Sequence, residues 1–256
     1  MRKLNQQLRI STKTVINLIV LSLMLSTVSS QNFKRDQLKY ERVRKAYSDK
    51  EKALLRRYQK CGFKTLSQHV FLRAFKESGE LELWVKNKTN RNYVLVYTYS
   101  ICAKSGTLGP KRKMGDMQVP EGFYRLTVFN PVSNFYLSLG VSYPNTSDRI
   151  LGEKNHLGGD IFIHGDCVTI GCMPLTDEFI KEIYIACVEA KNGGQEIIPV
   201  HIFPYRMNTK NHLNYSKKHP DYLKFWNNIK EGYDYFEYKK TLPVVSIDKQ
   251  GKYHFN

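Results

Sequence analysis

From Val70 to Gly165 the chain is a train of short apolar runs, most of them too short to make a helix and bounded by turn residues. The runs are "VFLRAF", "ELELWVKN", "YVLVYTYSICA", "GFYRLTVFN", "FYLSLGVSY" and "DIFIHG". Between them stand "NKTNRN", "KSGTLGPKRKMGDMQVPE" and "PNTSDR", rich in Gly, Pro and Asn. β-branched and aromatic side chains suit a pleated, half-buried surface, and the intervening residues suit turns, so this spacing predicts strands. The fold class it predicts is mostly β with flanking helices (α+β), the strands forming a sandwich or barrel. "PLTDEFIKEIYIACVEAKNGG" then breaks the pattern with the helical period. Phe179, Ile180, Ile183, Tyr184, Cys187 and Val188 make one apolar stripe, Thr176 or Asp177 can cap its start, and Gly193 stops it. "EIIPVHIFP" returns to a core strand.

Two flanks surround this domain, expected over 70–205. Residues 1–30 combine Arg2, Lys3, Arg9 and Lys13 with the apolar run "VINLIVLSLML" and small residues at Val28 and Ser30. That order describes a signal peptide, and the run falls short of the ~20 apolar residues of a membrane span. An uncleaved leader would be the chain's one membrane contact. Residues 31–69 open on a charged stretch without Gly or Pro through Lys60, with Leu38, Val43, Tyr47, Leu54 and Leu55 at loosely helical intervals. They predict an N-terminal helical segment, read as a solvated surface helix. Residues 206–256 form an aromatic and basic extension, with Trp226, Tyr233, Tyr235 and Phe236 expected to pack on the domain.

The full chain of 256 residues carries a formal charge of +17, and without the four cations of the leader about +13 remains. Such a surface favours polyanions, namely nucleic acid, acidic lipid or an acidic wall polymer. For an exported chain nucleic acid is the least accessible of these, and no nucleic-acid partner is expected. Cys61, Cys102, Cys167, Cys172 and Cys187 make an odd count, which in an oxidising compartment leaves at least one thiol outside an internal pair. Their spacings lack the paired C-x-x-C pattern of structural zinc, so neither a metal nor another cofactor is expected.

"HGDCVTIGC", residues 164–172, concentrates the chemistry at a strand end shortly before a helix start. A catalytic thiol needs a base and donors for the oxyanion. Cys172 follows Gly171, which permits a tight turn, and His164 ends the preceding strand. A Cys167–Cys172 bridge is the competing reading of the same nine residues, and a Cys61–Cys102 bridge is a weaker pairing. Cys61, Cys102 and Cys187 are not expected to be catalytic. Asp166 and Asp177 read as solvent-facing caps, and His201 as a satisfied structural histidine. Lys111, Arg112 and Lys113 read equally as a solvated basic turn or as contacts to substrate carboxylates.

"IHG" followed by "TIGC" resembles the signature of the L,D-transpeptidase catalytic domain, the YkuD family. "GPKRKMGDMQVPEGFY" resembles the family's Gly-Asp…Pro-x-Gly segment. "LSLGVSYPNTSD" and "HLGGDIFIHGDCVTIGCMPLTDEFIKEIY" resemble the YafK-like subgroup of murein transpeptidases. The resemblance runs from about Leu83 to Pro204. It implies a YkuD-type domain over 70–205, exported to the periplasm or cell envelope and acting on peptidoglycan stem peptides. Cys172 is then the nucleophile that forms a thioester, and His164 the general base and proton donor. Gly165 supplies the carbonyl that orients the imidazole, Thr169 fills the Ser/Thr position, and the Gly171 and Cys172 amides form the oxyanion hole. The short loop and "GCMP" in place of Gly-Cys-x-Arg/Asn are shared with the YafK-like subgroup. There a hydrolase, an L,D-carboxypeptidase or amidase cutting crosslinks or wall–protein links, is the alternative to crosslinking. A non-catalytic wall-binding module is the third reading.

Overall fold

The computed structural model describes residues 32–256, so the expected leader lies outside the described residues. Helix α1 spans Glu41–Lys60, followed by β1 (His69–Phe75), β2 (Glu80–Lys86) and β3 (Val94–Ser100). Then come β4 (Gly122–Asn130), β5 (Ser138–Val141), a short α2 (Thr146–Leu151), β6 (Phe162–His164) and β7 (Met173–Pro174). Helix α3 (Asp177–Asn192) and β8 (Pro199–Phe203) lead into α4 (Thr209–Lys218), α5 (Leu223–Lys239), β9 (Val245–Ile247) and β10 (Tyr253–Phe255).

Eight strands form one sheet in the order β3-β2-β1-β8-β4-β5-β6-β7, while β9 and β10 pair separately. Strand β4 turns the corner. Its first half, Gly122–Arg125, pairs with β8, and its second half pairs with β5 after a register shift between Leu126 and Val128. A bulge of this kind bends a strand and lets it serve two differently oriented sheets. The sheet therefore curls into a half-barrel, in keeping with the α+β class expected from the sequence. Beyond β3, Ile101 N–H donates to Gly79 O and Cys102 N–H to Pro174 O, so the segment leaving one edge of the sheet lies against β7 at the other.

Period-two alternation explains why both faces of the central strands are buried. Val70, Leu72, Ala74, Leu81, Leu83, Val85, Val200 and Ile202 join the main core beneath α3. The opposite face carries Phe71, Phe75, Trp84, Phe203 and His201 and is covered by α5 through Trp226, Ile229, Tyr233 and Phe236. Arg73 and Glu82 also sit on that covered face, 2.7 Å apart, and Glu237, Arg206, Glu80 and Lys240 extend the pair into a six-charge network.

The N-terminal helix differs from the solvated helix read from its charges. Val43, Ala46, Tyr47, Leu54 and Tyr58 of α1 are buried. Helix α3 is correspondingly buried all round from Ile180 to Ala190, wider than the stripe its period predicts. The charges on its second face find partners, most of them on α1. Lys181 meets Asp49 at 2.8 Å, Glu182 meets Arg57 at 3.3 Å, and Glu189 accepts from Tyr47 at 2.9 Å. A buried charge is tolerated when it is paired, and these pairs let a charged helix serve as the second layer of the core. No helix among the described residues is long and apolar enough to cross a membrane.

Candidate active site

The site grows out of the β6–β7 junction. Ile163 pairs with Met173 and His164 with Pro174 in parallel, although only eight residues connect the two strands. Parallel neighbours normally require a longer crossover, so this return needs unusual backbone. Asp166 and Gly171 supply it with φ of 62° and 136°. A Cβ on Gly171 would also stand 3.3 Å from Gln118 O, so glycine is needed for both conformation and approach. At Gly165 an added Cβ would lie 2.6 Å from Asp177 Oδ1 and 2.9 Å from Phe135 O.

The register sets Cys172, one residue before β7, beside Phe162, with His164 two residues further along the same strand. Cys172 Sγ accepts the Phe162 N–H at 3.4 Å, and its S–H points at Asp160 O, 3.5 Å away. Burial pushes the Cys172 thiol up, against the opposing pull of the Phe162 N–H and the charge of Lys111. His164 is 2% exposed and its ring lies 4.6 Å from that of Phe135. Its Nδ1 faces Gly165 O at 2.5 Å. A carbonyl can only accept, so the proton sits on Nδ1 and the neutral ring keeps Nε2 as its basic nitrogen. Burial lowers the pKa of His164, opposed by the Gly165 carbonyl and the charge of Asp166. Both groups are therefore favoured neutral at rest.

Thr169 closes the turn. Its Oγ1 accepts from Gly171 N–H at 3.2 Å and Cys172 N–H at 2.8 Å, and donates to Cys172 O at 2.9 Å. The two amides assigned by resemblance to the oxyanion hole thus already hold a partner in this conformation. Asp177 Oδ1 accepts the Asp166 N–H at 3.0 Å, and Thr176 caps α3 by accepting from Phe179 N–H. Asp166 and Asp177 are both exposed and pin the loop, while the group on His164 Nδ1 is the Gly165 carbonyl.

A cavity of about 210 Å³ opens at Cys172, walled by Ala74, Lys76, Ile101, Ala103, Val119 and Met173 among others. The basic loop beside it is largely committed internally. Lys111 is 5% exposed and pairs with Asp116 at 2.5 Å, and Arg112 lies 3.5 Å from Asp148 with Phe225 against its guanidinium. Lys113 alone of the three is exposed.

Three features escaped the sequence reading. Cys102 and Cys167 form a disulfide with Cα atoms 5.4 Å apart, in place of either pairing considered from the sequence. Those pairings were judged along the chain, whereas curling of the sheet brings the end of β3 to the nucleophile loop. Cys61, Cys172 and Cys187 remain free thiols. Asp116 gathers the Arg112, Lys113 and Gln118 amides, its carboxyl held below the usual range by these donors and Lys111 against the cost of burial. Glu121, fully buried, accepts from Gly109 N–H, Lys76 and the Trp226 indole, tying the C-terminal helix to the cavity wall. The acidic residues of "GDMQVPEG" were the available signal for both. His201 also differs, since its buried Nδ1 has no hydrogen-bond partner and the ring is held by Phe71 and Phe123 at 4.6 Å. Among the described residues no group of three or more His, Cys, Asp or Glu could hold a metal.

The molecule is an α+β half-barrel that presents a free cysteine and an oriented histidine at neighbouring strand ends. The chain belongs to the L,D-transpeptidase catalytic domain (YkuD) family, whose model matches residues 76–202. The YafK protein of Escherichia coli is 39% identical over 180 residues, covering 70% of each chain. Among solved structures, a point mutant of Campylobacter jejuni Pgp2, titled a helical cell shape determining protein, matches at 18% identity and a TM-score of 0.44. That match covers 72% of this chain and 61% of the Pgp2 chain. Bdellovibrio bacteriovorus Bd1075 matches at 21% identity and a TM-score of 0.38, covering 66% of this chain and 61% of the other. The family acts on peptidoglycan, which together with the disulfide points to the cell envelope.

Proposed function

We propose that the protein is an exported L,D-transpeptidase that acylates Cys172 with a peptidoglycan stem peptide and passes the acyl group to an amine of a second stem. The observation that carries this reading is the free Cys172 thiol at the mouth of a cavity, one strand away from a histidine whose Nδ1 proton is fixed by Gly165. His164 Nε2 takes the thiol proton as sulfur attacks the stem carbonyl. It then returns that proton to the departing amine as the tetrahedral intermediate collapses to the thioester. An incoming amine reverses the sequence, giving up its proton to His164 and releasing the Cys172 thiolate to be reprotonated. Because the His164 pKa is lowered, the acid limb of the pH profile falls below the 6.5 of a free imidazole. The developing oxyanion competes with Thr169 Oγ1 for the Cys172 N–H, so Thr169 sets the turn in the resting enzyme and yields a donor on acylation.

The same reading divides the chain into a signal peptide over 1–30, a helical segment over 31–69, the catalytic domain over 70–205 and a packed extension over 206–256. It is tested by incubating the mature protein with purified peptidoglycan and analysing the muropeptides by mass spectrometry. New crosslinks support transfer. Lost stems or released wall protein without crosslinks would replace it with the hydrolytic alternative, and an unchanged wall with a binding module.

A further inference from the structure

The nucleophile loop is poorly held by non-covalent contacts at its apex. Val168 and Ile170 are 51% and 80% exposed. Cys167 N–H bonds only its neighbour Asp166, and Thr169 bonds only Gly171 and Cys172. Among the described residues, no hydrogen bond from residues 167–170 reaches outside the loop. Among the described residues, the Cys102–Cys167 disulfide is the one covalent or hydrogen-bonded tie from this apex to the rest of the molecule.

Its other end is placed where it matters for substrate. Cys102 lies between Ile101 and Ala103, both on the wall of the Cys172 cavity, and the wall continues through Lys104 to Leu108. Cys102 N–H also donates to Pro174 O at 3.0 Å, on the strand that begins directly after Cys172. The bridge and this hydrogen bond fasten the same wall segment to both sides of the nucleophile, five residues before it and two after.

Resting on the acyl-transfer reading above, we propose that Cys102 and Cys167 are positioning residues for the reaction, their disulfide holding the nucleophile loop and the substrate-cavity wall as one unit. Severing the bridge lets the loop apex move relative to the wall, so the thiol and the acyl group no longer meet in a fixed geometry. A misplacement of about 1 Å is enough to slow such a reaction by about a hundredfold.

The test compares the mature protein with the Cys102→Ser/Cys167→Ser double variant, which leaves no stray thiol in the loop. Circular dichroism and thermal melting report the fold. Iodoacetamide labelling of Cys172 across pH, read by peptide mapping, reports the thiol's surroundings without reference to any substrate. Acylation of Cys172 by a carbapenem, read by intact mass, reports the reaction. The expected result is a folded variant whose labelling profile is shifted along the pH axis and whose acylation is at least tenfold slower. Labelling and acylation within twofold of the parent would overturn the proposal. Should the variant fail to fold, folded wild type treated briefly with a dithiol reductant, then desalted under argon, must show the same two changes. A parent protein that carbapenem does not acylate at all would count against the acyl-transfer reading, while the labelling profile would still decide the positioning role.

Discussion

His164 and Cys172 at the β6–β7 edge and His201 and Cys187 in the interior are the same two residue types in opposite circumstances. Burial moves both histidines and both cysteines in the same directions, the imidazoles down and the thiols up. The interior pair is simply moved further. His201 is pushed down to about 3 between aromatic rings, and Cys187 lies on α3 with no solvent access. What distinguishes the edge pair is partners. Gly165 O fixes the tautomer of His164, the Phe162 N–H addresses the Cys172 sulfur, and a cavity admits a ligand to it. Burial alone makes these residues inert, whereas burial with an oriented partner and an opening makes them usable.

The largest expected effect that would break this contrast comes from Cys172→Ala, which should abolish muropeptide turnover with the melting temperature nearly unchanged. Residual turnover above background would move the nucleophile elsewhere. His164→Gln should lower kcat by about 10²- to 10⁴-fold, the usual share of general acid–base catalysis, and combining it with Cys172→Ala should cost nothing further. Gly171→Ala forces a side chain into a φ of 136° and against Gln118 O. Strain of this kind costs about 1–3 kcal/mol, so turnover should fall by about tenfold or more, with Cys172 still present as a free thiol.

Smaller effects test the interior side. Unfolded, His201 binds a proton near its usual 6.5, and folded it does so only near 3. The folded state therefore loses stability as pH falls through that window, at up to about 1.4 kcal/mol per pH unit. Asp148, raised from 3.8 to about 6 by burial, works the other way and favours the folded state as pH falls from about 6 toward 3.8. His201→Phe should remove the first contribution, so the drop in melting temperature between pH 7.5 and 4.5 should shrink. An equal drop in variant and parent would deny His201 that role. The smallest effect on chemistry belongs to Cys187→Ser, which places a hydroxyl in an apolar core. It should lower stability by about 1–3 kcal/mol while leaving turnover per folded molecule within about tenfold.

The strand train from Val70 and the helix that begins at Asp177 were legible because alternation and helical period are written in consecutive residues. That His164 and Cys172 lie close in the chain was also plain, since one nine-residue stretch holds both, whereas their placement on adjoining strands comes from the β6–β7 register. Other features were hidden by distance along the chain. The bridge joins residues 65 apart, and the Glu121–Trp226 hydrogen bond joins residues 105 apart. The charges of α1 looked solvated because Asp49 and Arg57 find their partners Lys181 and Glu182 on a helix more than a hundred residues later.

By itself, then, the sequence determined which segments form strands, where the long helix lies, and which short stretch carries the thiol and the imidazole. These depend on local period and on residues that are neighbours in the chain. Only the tertiary structure decided that Cys102 holds Cys167, that Thr169 occupies the amides beside the nucleophile, and that Lys111 and Arg112 face inward. The bridge depends on the bend of β4 at Leu126, which curls the sheet until its two edges meet and brings residues far apart in sequence within bonding distance, while the Thr169 and Lys111 contacts depend on loop backbone that no periodicity encodes.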